Sequence, residues 1–182
     1  MSKNKRPQSK RNDILSKENL NLSQDEILEL AVKVIVHPSY GWITTALILY
    51  GCRPIETFSL IPASNGTASV INFNENPLKN IRRKVLANPL DFVEKLNICD
   101  QVSQPVFYQN SYDYNFDELS NIIANWNSWF KTIKSDLELE SLRGYWAERT
   151  INDGLSIKFA AKYMGLTNDQ FIKIYKEILN TK

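Results

Sequence analysis

Gly41-Trp42-Ile43-Thr44-Thr45-Ala46-Leu47-Ile48-Leu49-Tyr50, followed by Gly51-Cys52-Arg53-Pro54-Ile55-Glu56, is the stretch whose reading decides the fold. Trp42 to Tyr50 is apolar on nearly every side, which predicts a helix buried all round. It is about half the ~20 residues that a bilayer crossing requires, so a core helix is expected and a membrane span is not. Gly51 stops that helix. Arg53-Pro54 starts a short one, since proline suits a first helical turn.

Upstream, Ser23-Gln24-Asp25-Glu26 has the form of a capping box: the serine accepts a backbone N–H and the glutamate reaches back. An apolar helix follows, from Ile27 to about Val36, and His37-Pro38 ends it because the residue before proline avoids the helical region. Downstream, Pro62 to Gly66 reads as a turn. Thr67 to Phe73 is β-branched and reads as a strand. Asn74 to Pro77 is a loop, and Ile81 to Ala87 is the returning strand. Pro89 to Leu96 reads as a short helix, and 98–115 as irregular. Phe116 to Ile133 is a helix, with Leu119, Ile122, Ile123, Trp126 and Phe130 at helical spacing. Leu137 to Asp153 reads as one helix closed by Gly154, and Ser156 to Met164 as another closed by Gly165. Thr167-Asn168-Asp169-Gln170 is a second capping box, opening a final helix with Phe171, Ile174, Tyr175, Ile178 and Leu179 in one stripe. The expectation is one mainly α domain over residues 22–182, with a small β-hairpin and a single core.

Composition narrows the function classes. The chain has 182 residues, 43% hydrophobic and 23% charged, with 11% aromatics, which is globular and large enough for its own core. Cys52 and Cys99 do not make a disulfide scaffold and read as small buried residues. With His37 the only histidine, no metal site is expected. No secretory signal follows the basic N-terminus, so the cytoplasm is the expected compartment and no membrane partner is expected. Residues 1–21 carry Lys3, Lys5, Arg6, Lys10, Arg11 and Lys17 without an aromatic, and read as a flexible basic arm. Lys79, Arg82, Arg83 and Lys84 form a second basic run. Such runs attract polyanions through phosphate charge, or are plain solvated surface.

Three stretches together resemble one family, the tyrosine recombinases or phage-type integrases. Residues 41–56 resemble that family's buried helix and its G-x-R-x-x-E turn, and the segment 67–87 sits where the family has its hairpin. Leu142-Arg143-Gly144-Tyr145-Trp146-Ala147, Gly154, Met164-Gly165-Leu166 and then Tyr175 resemble its C-terminal block, with Tyr175 nine residues after Leu166. The resemblance covers about residues 22–182, and implies a recombinase catalytic-domain fold and DNA as partner. It also implies a function in DNA integration or recombination without an external cofactor, and a homo-oligomer on DNA. By the same resemblance Arg53 and Arg143 clamp a phosphate, Tyr175 is the nucleophile, and Lys79 is the nearest basic candidate for the hairpin's general acid. Lys79, Arg82, Arg83 and Lys84 would contact DNA.

The sequence also departs from the family. Glu140 stands where a histidine is usual, Gly144 where a second often lies, Leu166 where a third residue, His or Trp, is expected, and Asn74 aligns with the hairpin lysine. Weak or lost activity is therefore expected, because proton-transfer groups are missing while the clamp and the nucleophile remain. Two other readings stay open: a non-catalytic DNA-binding or regulatory remnant on the same fold, and an unrelated α-helical interaction protein. Each residue has a plain reading as well. Arg53 would pair with Glu56, Arg143 with Glu140 or Glu138, and Tyr175 would be ordinary core.

Overall fold

The structure is a computed structural model that describes residues 22–63, 67–73, 75–86, 115–176 and 179. Helix α1 (Gln24–Ile35) opens on the expected capping box, with the Glu26 N–H donating to Ser23 Oγ and the Ser23 N–H donating to Glu26 Oε2. Its Ile27, Leu30, Ala31 and Val34 face the core. Helix α2 (Gly41–Tyr50) has every residue buried, which is why its sequence shows no polar face. Two buried threonines fit there because their hydroxyls bond the previous turn, Thr44 to Tyr40 O and Thr45 to Gly41 O. Thr44 Oγ1 also accepts from the indole N–H of Trp126, at 2.8 Å.

Gly51 ends α2 in the left-handed region, with φ 56°. The choice is dictated twice, since a Cβ there would lie 2.5 Å from the Trp146 ring. The chain then enters α3 (Pro54–Thr57) and a three-stranded antiparallel sheet: β1 (Ile61–Pro62), β2 (Thr67–Asn72) and β3 (Ile81–Leu86), with β2 in the middle. The hairpin is where the sequence predicts it. The short β1, over residues read as entering a turn, is an addition: Ile61 pairs with Ser69 and Pro62 with Ala68. Pro62 is tolerated because β1 is an edge strand. A 3₁₀ turn (Pro77–Lys79) lies between β2 and β3.

Helix α4 (Phe116–Ile133) has the predicted bounds and is capped by Asn115, whose Oδ1 accepts from the N–H groups of Asp117 and Glu118. Helix α5 is shorter than predicted, Ser141–Asn152 instead of 137–153. Before it, side chains satisfy backbone donors of the non-helical lead-in: the Leu139 N–H donates to Asn127 Oδ1 and the Glu138 N–H to Ser141 Oγ. Helices α6 (Ile157–Met164) and α7 (Asn168–Ile174) follow, α7 opening on the second capping box. The predicted stripe runs on to Leu179, but α7 breaks at Tyr175, whose φ of −107° and ψ of 27° are not helical. The expected helix at 89–96 and the basic arm lie outside the described residues.

The sequence predicts one core, and the structure has two clusters that meet on α5. Leu142 and Tyr145 belong to the first, with α1, α2, the sheet and α4. Trp146, Ala147 and Ile151 belong to the second, with α6 and α7. No described helix is long and apolar enough to cross a membrane.

Candidate functional site

Arg143 is the link between the two clusters. It projects from the first turn of α5 and is 5% exposed. Its Nε donates to Gly51 O at 3.2 Å and its Nη2 to Met164 O at 3.0 Å. One guanidinium thus ties the end of α2 to the end of α6. Its Nη1 lies 3.5 Å from Glu140 Oε2, while Glu138 pairs instead with Lys131. Arg suits this position because its fork serves several acceptors at once and keeps its charge when buried.

Arg53 stands two residues after the carbonyl that Arg143 holds. It is the N-cap of α3, and its Nη1 donates to Asn72 Oδ1 on β2 at 3.2 Å. The expected Arg53–Glu56 partnership is made by the backbone: the Arg53 N–H donates to Glu56 Oε2 at 2.7 Å. The side chain of Glu56, 1% exposed, is paired with Arg83 instead. Arg83 Nε donates to Glu56 Oε1 at 2.9 Å, Nη2 bonds Glu56 Oε2, and Nη1 bonds Tyr163 O.

This corrects the reading of the basic run. A strand alternates its faces, so Arg82 and Lys84 share one side of β3 while Arg83 and Val85 share the other. Arg82 and Lys84 are exposed, Arg82 with an Nη1 bond to Ser69 Oγ at 3.0 Å. Arg83 turns inward, and a Cβ on Gly165 would lie 2.9 Å from its Nε. It is an internal brace between β3, α3 and α6, not a surface cation. Lys79 is exposed at the end of the 3₁₀ turn.

Tyr175 sits at the break after α7, packed on Phe171 with ring centroids 4.9 Å apart, and is 5% exposed. Its Oη is buried with no hydrogen-bond partner among the described residues. Burial pushes its phenol above the ordinary value, and the Arg143 charge works against that. Burial lowers Arg53, and the positive charge of Arg143 lowers it further, with Glu56 in opposition. Burial also works against the charge of Arg143, yet Tyr175, Glu140 and Glu56 together hold it above its ordinary value. Arg53, Arg143 and Tyr175, from three separate elements, therefore share one electrostatic neighbourhood with Glu140. Among the described residues, the charges that act on Arg53 are the guanidiniums of Arg143 and Arg83 and the carboxylates of Glu56 and Glu140. Such a cluster is chemically suited to an anion.

Other expectations have plain outcomes. Cys52 is a free, fully buried thiol whose pKa burial raises, which makes it inert packing. Cys99 lies outside the described residues. His37 is an acceptor in its own turn, with Nδ1 receiving the N–H groups of Ser39 and Tyr40. Among the described residues no three His, Cys, Asp or Glu side chains group as a metal site. Asn72 is a site residue that the sequence did not flag; its signal was only its place at the end of β2, across from Ile81.

Comparison with solved structures shows the fold. The XerA recombinase structure superposes with a TM-score of 0.58 at 18% identity, covering 97% of this chain and 64% of that one. The XerH site-specific recombinase bound to a palindromic difH substrate, a post-cleavage complex, superposes with a TM-score of 0.50 at 12% identity, covering 88% and 50%. The chain thus has a tyrosine recombinase-like fold and spans about half to two thirds of the length of these solved recombinases. No protein-family model matches the chain, and no curated protein matches it in sequence.

Proposed function

We propose that this chain is a DNA-binding domain of tyrosine recombinase type in which Arg53 and Arg143 face a backbone phosphate, with cleavage activity weak or lost. The observation that supports the reading is that Arg143 bonds the Gly51 carbonyl two residues before Arg53, with the charges of both arginines acting on the buried Tyr175 phenol. A phosphodiester is an anion that suits such a pair, and both guanidiniums stabilise charge that builds on its non-bridging oxygens. Exposed Arg82, Lys84 and Lys79 on and beside β3 extend the positive surface along a polyanion. DNA, rather than another polyanion, is favoured by the recombinase-like fold and by the palindromic difH substrate bound in the XerH complex.

Covalent chemistry on such a site has a defined balance. The phenolic oxygen of Tyr175 bonds to phosphorus, the bond to the 5′-oxygen breaks, the phenol loses its proton, and the leaving oxygen gains one. Lys79 is the candidate donor for that last proton. The raised phenol and the absence of histidines at 140, 144 and 166 oppose the first proton transfer. Assistance of this kind is typically worth ~10²–10⁴-fold, so binding without efficient cleavage is the expected balance.

The test has two parts. Duplex binding is followed as salt is raised: log K should fall linearly with log salt, and each of Arg82→Ala and Lys84→Ala should flatten the slope by about 0.9 if it loses one phosphate contact. A nicked suicide duplex is then resolved on a denaturing gel, with Tyr175→Phe beside it. Little or no adduct is expected. A strong adduct that vanishes in Tyr175→Phe would overturn the weak-activity reading, and no duplex binding at low salt would overturn the DNA reading.

A further inference from the structure

Glu140 replaces a family histidine, yet it does more than leave a gap. It is the N-cap residue of α5, and its carboxylate lies 3.5 Å from Arg143 Nη1. The exposures are unequal, 43% for the Glu140 side chain and 6% for Arg143. Gly51 O and Met164 O hold the other side of the guanidinium. Glu140 therefore meets the part of Arg143 that the backbone leaves over, from the solvent side. Its charge also reaches Arg53 and Tyr175. The buried Tyr175 Oη, which lies within reach of the Arg143 and Glu140 charges, has no acceptor among the described residues.

A carboxylate offers an arginine two oxygens, as the non-bridging oxygens of a phosphodiester do. We infer that Glu140 is an affinity-determining residue whose tethered carboxylate fills the anion position of the Arg53–Arg143–Tyr175 cluster, so that free phosphate is excluded and only a phosphodiester held by further contacts displaces it. Tethering gives the carboxylate an effective concentration that a free anion at ordinary levels does not match. A bound polyanion overcomes it because Arg82, Lys84 and Lys79 hold the neighbouring phosphates. Glu140 can yield because it is partly exposed, and a half-solvated ion pair is weak. The identity of the displacing ligand rests on the DNA reading above; the place of the carboxylate does not.

The experiment compares wild type, Glu140→Gln and the double variant Glu140→Gln/Arg53→Gln. Two probes are used: inorganic phosphate, read by the thermal midpoint at constant ionic strength, and a labelled short duplex, read by anisotropy. Each protein is referred to its own phosphate-free midpoint, so a general change in stability does not imitate binding. Phosphate at ~10 mM should raise the midpoint of Glu140→Gln by several degrees more than that of wild type. The excess should vanish in the double variant. Duplex affinity of Glu140→Gln should rise about tenfold. An equal phosphate response in wild type and Glu140→Gln overturns the inference, even where both bind duplex and the DNA reading survives. A phosphate gain with no duplex binding by either protein supports the place of Glu140 and sinks the DNA reading.

Discussion

Replacing Arg83 with methionine should cost far more than removing a surface cation. The substitution keeps an unbranched apolar stem and deletes the guanidinium. Glu56 is then left 1% exposed with the Arg53 N–H as its remaining close donor, and Tyr163 O loses a bond. Breaking a buried pair from one side typically costs about 3–5 kcal/mol, and the lost bond to a carbonyl about 1 kcal/mol. The Arg83 side chain is 13% exposed, so some water reaches the pair and the lower end applies, about 3 kcal/mol. For a chain of this size that is a fall of about 6–12 °C in Tm. Urea denaturation followed by circular dichroism measures it, within a double-mutant cycle that includes Glu56→Gln. The cycle should show a coupling above about 1.5 kcal/mol, because Glu56→Gln/Arg83→Met no longer buries a lone charge. A loss under about 1 kcal/mol, or a coupling near zero, would refute the internal brace and return Arg83 to the surface.

Other predictions concern the same region. Gly51→Ala combines a left-handed backbone with a Cβ 2.5 Å from Trp146, and should lower stability by about 2–4 kcal/mol in the same urea assay. Trp126→Phe removes the indole bond to Thr44 and some buried volume, and should cost about 1–3 kcal/mol by the same measurement. Tyr175→Phe should leave stability at neutral pH unchanged or raised by about 1 kcal/mol, since a buried hydroxyl with no partner among the described residues is itself a cost. The raised phenol means that the folded state keeps its proton longer than the unfolded chain, so wild-type stability should fall as pH climbs above the ordinary phenol value of about 10. Tyr175→Phe should remove that share of the alkaline loss; an unchanged pH profile would contradict the burial.

What was legible in the sequence is local. Helix α2, its glycine stop, the proline start of α3, both capping boxes and the hairpin each depend on residues a few positions apart, and each is where the pattern put it. The fold then brings Arg143 onto Gly51 O, 92 residues away and two before Arg53, a contact that no spacing rule encodes. Arg83 could have been separated from Arg82 and Lys84 by strand parity alone; a run of like charges hid the alternation. The break at Tyr175 has no proline or glycine to announce it. The apolar stripe continues past it, and even the i,i+4 contact of Tyr175 with Phe171 is what an unbroken helix would make. The lead-in to α5 is likewise non-local, since the Leu139 N–H donates to Asn127, a residue of another helix.

The central claim is that the arginine cluster holds a DNA phosphate. Its most direct measurement is the dissociation constant of a labelled duplex, at one low salt concentration, for wild type and Arg53→Gln. Arg53 is the one to change because, among the described residues, its side chain donates to Asn72, whereas Arg143 also ties α2 to α6. Hydrogen bonds to a charged group are worth about 1.5–3 kcal/mol, so Arg53→Gln should bind about 10- to 100-fold more weakly with its fold intact. Equal affinity for the two proteins would contradict the claim.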